Sequence, residues 1–220
     1  LLRTTPEDVL MGMELLSRVL KPSRVVLAVE DNKQEAIQRI RELQEKYPSV
    51  ELAVLPTRYP QGSEKQLIQA LTGREVPPGQ LPVSVDCAVF NVSTFAAIYR
   101  AVRLGKPLTE RIVTISGETV HMPQNVQVRI GTSFHDLIEV AGGLHDKTER
   151  VISGGPMMGI AQSDLAVPVI KGPNAVTILG RKNRYIVDDS ACIRCGKCID
   201  ACPMKLMPVL MYKSLFSGSI

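Results

Sequence analysis

The chain has 220 residues, of which 45% are hydrophobic, 22% charged and 4% aromatic, and its 26 basic and 22 acidic side chains give a net charge of +4. That length admits one large domain or two ordinary ones. The small basic excess is dispersed and has no aromatic interleaving, which excludes a nucleic-acid footprint, and no apolar run is long enough to span a bilayer.

The first segment opens with a helix signal. Thr5 is a candidate cap, Pro6 suits the first helical position, and Glu7 and Asp8 favour its positive end. Val9, Met13, Leu16 and Leu20 follow at helical spacing, and Pro22 stops the pattern. The apolar runs at Val25 to Val29 and Leu52 to Leu55 read as buried strands. Between them Asp31 or Asn32 is placed to cap a helix carrying Ala36, Ile37, Ile40 and Leu43 on one face. Helix, strand, helix, strand in that order predicts an α/β unit with a parallel sheet.

Tyr59-Pro60-Gln61-Gly62-Ser63-Glu64 reads as a turn into a helix running to about Leu71. Pro77, Pro78, Gly79 and Pro82 mark an extended loop, after which Val83 to Phe90 has the composition of a strand. Cys87 in that run reads as a small core residue. Asn91 or Ser93 then caps a helix that ends at Gly105.

From Arg111 the texture changes to short β-type segments, at Arg111 to Ser116, Glu118 to Met122, Val126 to Ile130, Val151 to Ser153, Ala166 to Ile170 and Ala175 to Leu179. Ser133 caps one brief helix with Leu137, Ile138 and Val140, closed by Gly142 and Gly143. Short strands wrapped on one helix predict a compact α+β module of the β-grasp kind. Arg181 to Asp189 reads as a polar linker.

The strongest motif is Cys192-x2-Cys195-x2-Cys198-x3-Cys202-Pro203. Tight spacing lets three thiolates wrap one cubane while intervening amides donate to its sulfides. In two-cluster ferredoxins the fourth Cys ligates the other cluster, and here it is expected to start a helix. A zinc knot normally draws on separated Cys pairs or Cys/His mixtures, and His121, His135 and His145 all lie far upstream. The expected metal ligands are therefore Cys192, Cys195, Cys198 and Cys202, each set to hold iron. Thiolates kept ready for metal imply a reducing, cytoplasmic setting. Two clusters need two such motifs, so the expected outcome is that this chain alone holds no intact cluster, or a labile one. Its start at Leu1 and its close in an apolar stretch read as part of a longer protein.

With the Cys run behind an α/β unit and a β-grasp module, the sequence resembles the family of C subunits of Rnf complexes, the ion-translocating ferredoxin:NAD oxidoreductases. It is also similar to the flavin-bearing NADH-oxidising subunit of respiratory complex I. Tyr59 to Ile68 resembles that family's Gly-Glu-Glu turn and helix beside the flavin, with Ser63 in place of the first Glu and Glu64 matching the second. Asn91-Val92-Ser93-Thr94 resembles its Asn-Val-Glu-Thr, and the stretch from Arg111 to Leu179, with Gly154 to Gly159, resembles its soluble-ligand-binding β-grasp domain.

The resemblance implies a partial, Rossmann-like flavin/NADH domain over residues 1–110, a β-grasp domain over 111–180, and over 181–220 the first half of a ferredoxin-like domain. It implies FMN and NAD(H) at Gly62, Glu64, Asn91 and Thr94. It further implies two [4Fe-4S] clusters in the full-length protein, and ferredoxin with other membrane and peripheral subunits as partners. The location implied is the cytoplasmic face of the cell membrane. The family's Gly-rich loop for flavin phosphate is expected upstream, so these residues form one wall of the nucleotide site. A cobalamin reductase of bacterial microcompartments shares the layout, and a non-enzymatic electron-transfer or docking module is the reading from a different class.

Overall fold

The computed structural model describes residues 1–145, 148–180 and 192–217. The chain divides into two compact units, one of Leu1–Pro107 with Asp200–Leu206 and one of Leu108–Ile199 with Met207–Ile220. Each combines helices with a sheet.

The first unit begins with helix α1 (Pro6–Leu20), whose N-terminal turn carries Glu7 and Asp8 as expected. Thr5 occupies the cap position without making the cap bond, and its hydroxyl oxygen is buried with no partner. Strand β1 (Val25–Glu30) leads to helix α2 (Gln34–Leu43) and strand β2 (Val50–Leu55). β1 and β2 pair in parallel from Val25↔Val50 to Glu30↔Leu55, as the alternation of elements predicts. Neither strand is wholly buried: Leu27 and Val29 are, whereas Val54 on β2 is 41% exposed. Only one face of this two-stranded ladder meets the core, so the buried residues alternate.

Asp31 and Asn32 do not cap α2. The cap position is Lys33, without a side-chain bond, because the carboxylate of Asp31 is engaged across the sheet by Thr57.

Helix α3 (Glu64–Thr72) and helix α4 (Val92–Leu104) complete the unit. The predicted strand from Val83 to Phe90 does not form. Pro82–Val85 is a 3-10 helix closed by Asp86 in left-handed conformation. Pro82 fixes the first position, and Val83 is 73% exposed, so nothing buries the run as a strand. The core gathers Val9, Leu10 and Met13 of α1, Leu27 and Val29 of β1, Ile37 and Ile40 of α2, Val50 of β2 and Ala96 of α4.

α1 and α4 pack backbone to backbone at Gly12, where a Cβ would lie 1.9 Å from the Phe95 carbonyl oxygen. Asp8 at the start of α1 accepts both Nε (2.9 Å) and an Nη (2.8 Å) of Arg100 near the end of α4. The two helices are therefore antiparallel. Gly105, left-handed, ends α4 as expected.

The second unit is a five-stranded sheet. Its strands are β3 (Glu110–Gly117), β4 (Gln124–Arg129), β5 (Thr148–Ser153), β6 (Ile160–Gln162) and β7 (Ala175–Gly180), in the spatial order β4-β3-β7-β5-β6. β3 and β7 run parallel, and the other pairs are antiparallel. Helix α5 (Phe134–Val140) lays Phe134, Leu137 and Ile138 on a core of Val113, Ile115, Val151, Val176 and Ile178. Val140 faces solvent, 58% exposed. The Ser133 hydroxyl accepts from Asp136 N at 3.1 Å, which is the predicted cap. Gly117 at φ +138 carries β3 so close to β7 that a Cβ would meet the Ile178 carbonyl oxygen at 1.9 Å.

Two predicted strands are absent from this unit. Glu118 to Met122 forms a turn with one isolated bridge, Val120↔Leu144, after which Met122 N donates to Ala141 O. Ala166 to Ile170 runs beside the entry to α5, with one isolated bridge at Ser133↔Pro168. Pro168 has no N–H to give and its neighbour turns into a helix, so no ladder propagates. The predicted linker from Arg181 to Asp189 lies outside the described residues. Among the described residues no helix is long and apolar enough to cross a membrane.

Candidate functional site

In open parallel α/β sheets, ligands bind beyond the carboxyl ends of the strands. β1 ends into Asp31 and β2 into Thr57, and the two segments are tied: Asp31 Oδ1 accepts Thr57 N at 3.0 Å and Thr57 Oγ1 at 2.7 Å. The Thr57 hydroxyl bond, then its amide bond, holds the Asp31 carboxyl below the usual range. From there the chain turns twice, with Gln61 N on Arg58 O and Ser63 N on Pro60 O, both at 2.8 Å, across a cis Tyr59–Pro60 bond.

Gly62 is exposed, and no heavy atom lies within 4 Å of where its Cβ would stand, which leaves room for a flat group over the backbone. Ser63 precedes α3 in extended conformation without a side-chain cap, so its hydroxyl does not occupy the first-turn amides. Glu64 is the first residue of α3 and is exposed.

The second predicted stretch sits at the start of α4. Asn91 Oδ1 accepts Ser93 N at 2.9 Å and Ser93 Oγ at 2.7 Å, and Thr94 N donates to Asn91 O at 2.9 Å. The Asn91 oxygen is thereby used for the cap, and its NH2 is the group left to meet a ligand. Phe90 before the cap packs edge-to-face on Phe95 with centroids 5.5 Å apart, a hydrophobic staple that sets how the chain enters the helix. Asn91 and Thr94 are exposed. No hydrogen bond joins Gly62 or Glu64 to Asn91 or Thr94 among the described residues. Each pair stands at its own helix start.

Cys87 is not a core residue. It is half-buried after the 3-10 helix, and its thiol donates to Val85 O at 3.3 Å. The loss of the predicted strand is the reason.

All four cysteines of the run carry free thiols, with Cys192, Cys195 and Cys198 exposed and Cys202 half-buried. Arg194 and Gly196 both have positive φ, and Ile199 N donates to Gly196 O at 2.8 Å as the short helix α6 (Lys197–Asp200) begins. Cys202 does not start a helix. It opens a turn in which Lys205 N donates to Cys202 O at 3.0 Å and Leu206 N approaches Cys202 Sγ at 3.4 Å. Lys205 at φ +52 reverses the chain, and the next helix, α7 (Pro208–Ser217), starts at a proline. The donor set, four thiols with a backbone amide aimed at one sulfur, fits an iron–sulfur cluster in kind. Among the described residues no three His, Cys, Asp or Glu side chains converge as a metal site.

Sequence reasoning missed two contacts. Asp31 has the composition of a cap and serves instead as the acceptor that ties β1 to the segment after β2. Its position directly after a parallel strand was the available signal. The second is Gln66 on α3, whose Nε2 lies 3.2 Å from Met204 Sδ. No local pattern announces a contact between residues so far apart in sequence.

Three family models match the chain. They are the Nuo51 FMN-binding domain over residues 1–100, the SLBB domain over 112–161 and the 4Fe-4S binding domain over 185–205. Among curated proteins, the chain is 44% identical over 205 residues, 93% of its length, to the C subunit of the proton-translocating ferredoxin:NAD(+) oxidoreductase complex of Clostridium ljungdahlii. It is 40% identical over 95% of its length to the Na(+)-translocating counterpart of Acetobacterium woodii. To the C subunit of the ion-translocating oxidoreductase complex of Edwardsiella ictaluri it is 42% identical over 96% of its length. The chain spans 45%, 47% and 27% of the lengths of these three relatives. Over nearly all of its own length, then, the chain is homologous to the C subunits of the ion-translocating oxidoreductase complexes, the Rnf family.

Proposed function

We propose that the chain is the flavin-facing and first cluster-binding part of a redox subunit that passes electrons between NAD(H), FMN and two [4Fe-4S] clusters in an ion-translocating complex. The observation that carries this reading is the order of signatures on one chain: a match to an FMN-binding domain over residues 1–100 and the Cys192–Cys202 run inside a match to a 4Fe-4S domain over residues 185–205. In this reading residues 1–110 form a partial Rossmann-like flavoprotein domain, 111–180 a β-grasp domain and 181–220 the first half of a ferredoxin-like domain.

Gly62, Glu64, Asn91 and Thr94 would face the flavin. Gly62 leaves space for the ring, the unused amides at the start of α3 supply donors and a positive helix end, and the Asn91 NH2 supplies a further donor. Glu64 places a carboxylate at the same end of α3. FMN, when bound, supplies the exchange between the two-electron hydride of NADH and the single electrons of iron–sulfur clusters. Cys192, Cys195 and Cys198 would hold one cluster and Cys202 would serve its partner. The chain supplies four cluster thiols where two cubanes take eight, so as 220 residues alone it is inactive in this reading.

Ferredoxin, NAD(H) and the other membrane and peripheral subunits of such a complex are the partners, and the cytoplasmic membrane face is the location. The names of the curated relatives support this reading over a microcompartment cobalamin reductase of the same layout or a purely docking module. The test is the full-length protein, purified with iron and sulfide. It should retain FMN, and NADH should bleach its cluster absorption. A full-length protein that binds clusters but no FMN would leave only the docking module. One whose clusters NADH reduces in the presence of cobalamin, with cobalamin as the consuming acceptor and ferredoxin inert, would establish the reductase.

A further inference from the structure

Ala166 to Ile170 has the composition of a strand but finds no ladder. In the structure Val167 to Ile170 and the strand β6 line the same open cleft of the second unit, about 610 Å³ in volume. The lining is mostly apolar, from Phe134, Met158, Ile160, Val167, Pro168 and Ile170. Both backbone borders of this cleft are unfinished. β6 is the outermost strand of its sheet, with no strand beyond it among the described residues. Its Ile160 carbonyl is covered by the side-chain amide of its own Gln162, at 2.8 Å, a light protection for a sheet edge. On the other border Val169 donates to Thr132 O and accepts from Gly131 N, and Val167 O accepts from Phe134 N. Main-chain groups alternate in direction along an extended chain, so those of Pro168 and Ile170 are turned away from this contact. Among the described residues Pro168 O, Ile170 N and Ile170 O have no hydrogen-bond partner.

We infer that this cleft is a docking site for an extended, apolar segment of another polypeptide chain, which pairs its main chain with Pro168 and Ile170 and lays alternate side chains against Met158 and Ile160. Two observations select a polypeptide over a small molecule. The first is the row of unpaired main-chain groups, which an added strand satisfies and an apolar ligand does not. The second is how open the walls are: Met158 is 88% exposed, Ile160 71% and Ile170 55%. A small ligand is normally enclosed over most of its surface, whereas a trough walled by exposed side chains suits a chain that runs through it. The same three side chains form an apolar patch whose burial favours the docked state. That the segment comes from a companion subunit rests on the membership of a multi-subunit complex proposed above.

The experiment purifies the tagged full-length protein from its own cells, with whatever chains accompany it, and compares it with the same protein stripped to a single chain. Amide hydrogen exchange is read over residues 160–162 and 167–171. The expected result is exchange at Ile170 slowed by about tenfold or more in the assembly and fast in the stripped chain. Ile160→Glu and Ile170→Glu should each lower retention of the companion chain by roughly tenfold, the effect of a lost interface anchor. Both positions are exposed, so the Tm of the stripped protein should not move, and Ile160→Val should retain the companion. A photocross-linker at residue 160 should map to an extended apolar stretch of one companion chain. Several results would overturn the proposal: equal exchange at Ile170 in both samples, slow exchange already in the stripped chain, protection that follows self-association, or protection restored by a small-molecule extract alone. If companion subunits copurify while Ile170 stays unprotected, the docking site fails and the complex stands. If no other chain copurifies, the complex fails and the docking site with it.

Discussion

Replacing Gly12 with alanine sets two known effects against each other. Alanine inside a helix is favoured over glycine by about 0.8–1 kcal/mol. If α1 were free, Gly12→Ala would therefore stabilise it. In the structure the new Cβ would stand 1.9 Å from the Phe95 carbonyl oxygen and 2.5 Å from its carbon, well inside the 3.4–4 Å of ordinary contact. The obstacle is backbone, so no rotamer change relieves it, and α4 must move away from α1. Overpacking of this kind costs about 1–3 kcal/mol, and here it also strains the Asp8–Arg100 pair that spans the same two helices. A 1.9 Å approach to backbone belongs at the upper end of that range, so the clash outweighs the propensity. A net loss of about 2 kcal/mol corresponds to roughly 4–8 °C in Tm for a chain of this size. The assay is urea or thermal unfolding followed by far-UV circular dichroism. Gly62→Ala serves as the control, because nothing lies within 4 Å of its Cβ position; it should stay within about 0.5 kcal/mol of the parent. Equal or greater stability for Gly12→Ala would refute the close packing of α1 on α4.

Asn91→Ala should cost about 1 kcal/mol, and Asn91→Gly only a few tenths, because the lost bond is the cap to Ser93 N; chemical denaturation of the pair of variants measures the difference. The Asp31 carboxyl is held below its ordinary value by Thr57, so the stability it contributes is present above about pH 4 and is lost as pH falls through the lower folded value. Asp31→Asn should flatten that acid limb, and identical acid-unfolding curves for parent and variant would show that the bond to Thr57 contributes nothing. Reconstitution of the 220-residue chain with iron and sulfide should leave iron well below one cubane per chain; a strongly brown sample with stoichiometric iron would disprove the need for a second Cys motif. Transferring Cys202→Ser into the full-length protein should remove or convert one cluster and leave the other, read as iron content and EPR.

Much of this protein's organisation was local and so legible in the sequence. The alternation of helix and strand signals to Leu55 predicts the parallel pairing of β1 and β2, because such strands need a crossover helix. Asn91 and Ser133 cap the helices expected of them, because capping involves residues only two or three apart. The Cys192 to Pro203 run identifies its chemistry by spacing alone. What failed were assignments that depend on neighbours distant in the chain. Val83 to Phe90 has strand-like residues, but nothing buries them and Pro82 starts a 3-10 turn instead. Glu118 to Met122 and Ala166 to Ile170 find no partner for a continuous ladder. Asp31 looks like a helix cap until Thr57, on the next strand's exit, claims its carboxylate.

The sequence by itself determined that this chain carries thiols spaced for an iron–sulfur cluster behind an α/β unit and a short-stranded module. That information is carried by residue type and spacing along the chain, which folding does not alter. Only the tertiary structure decided that the turn after Cys202 meets helix α3. The contact joins Gln66 to Met204, and such a long-range pair leaves no periodicity or spacing for a sequence to display.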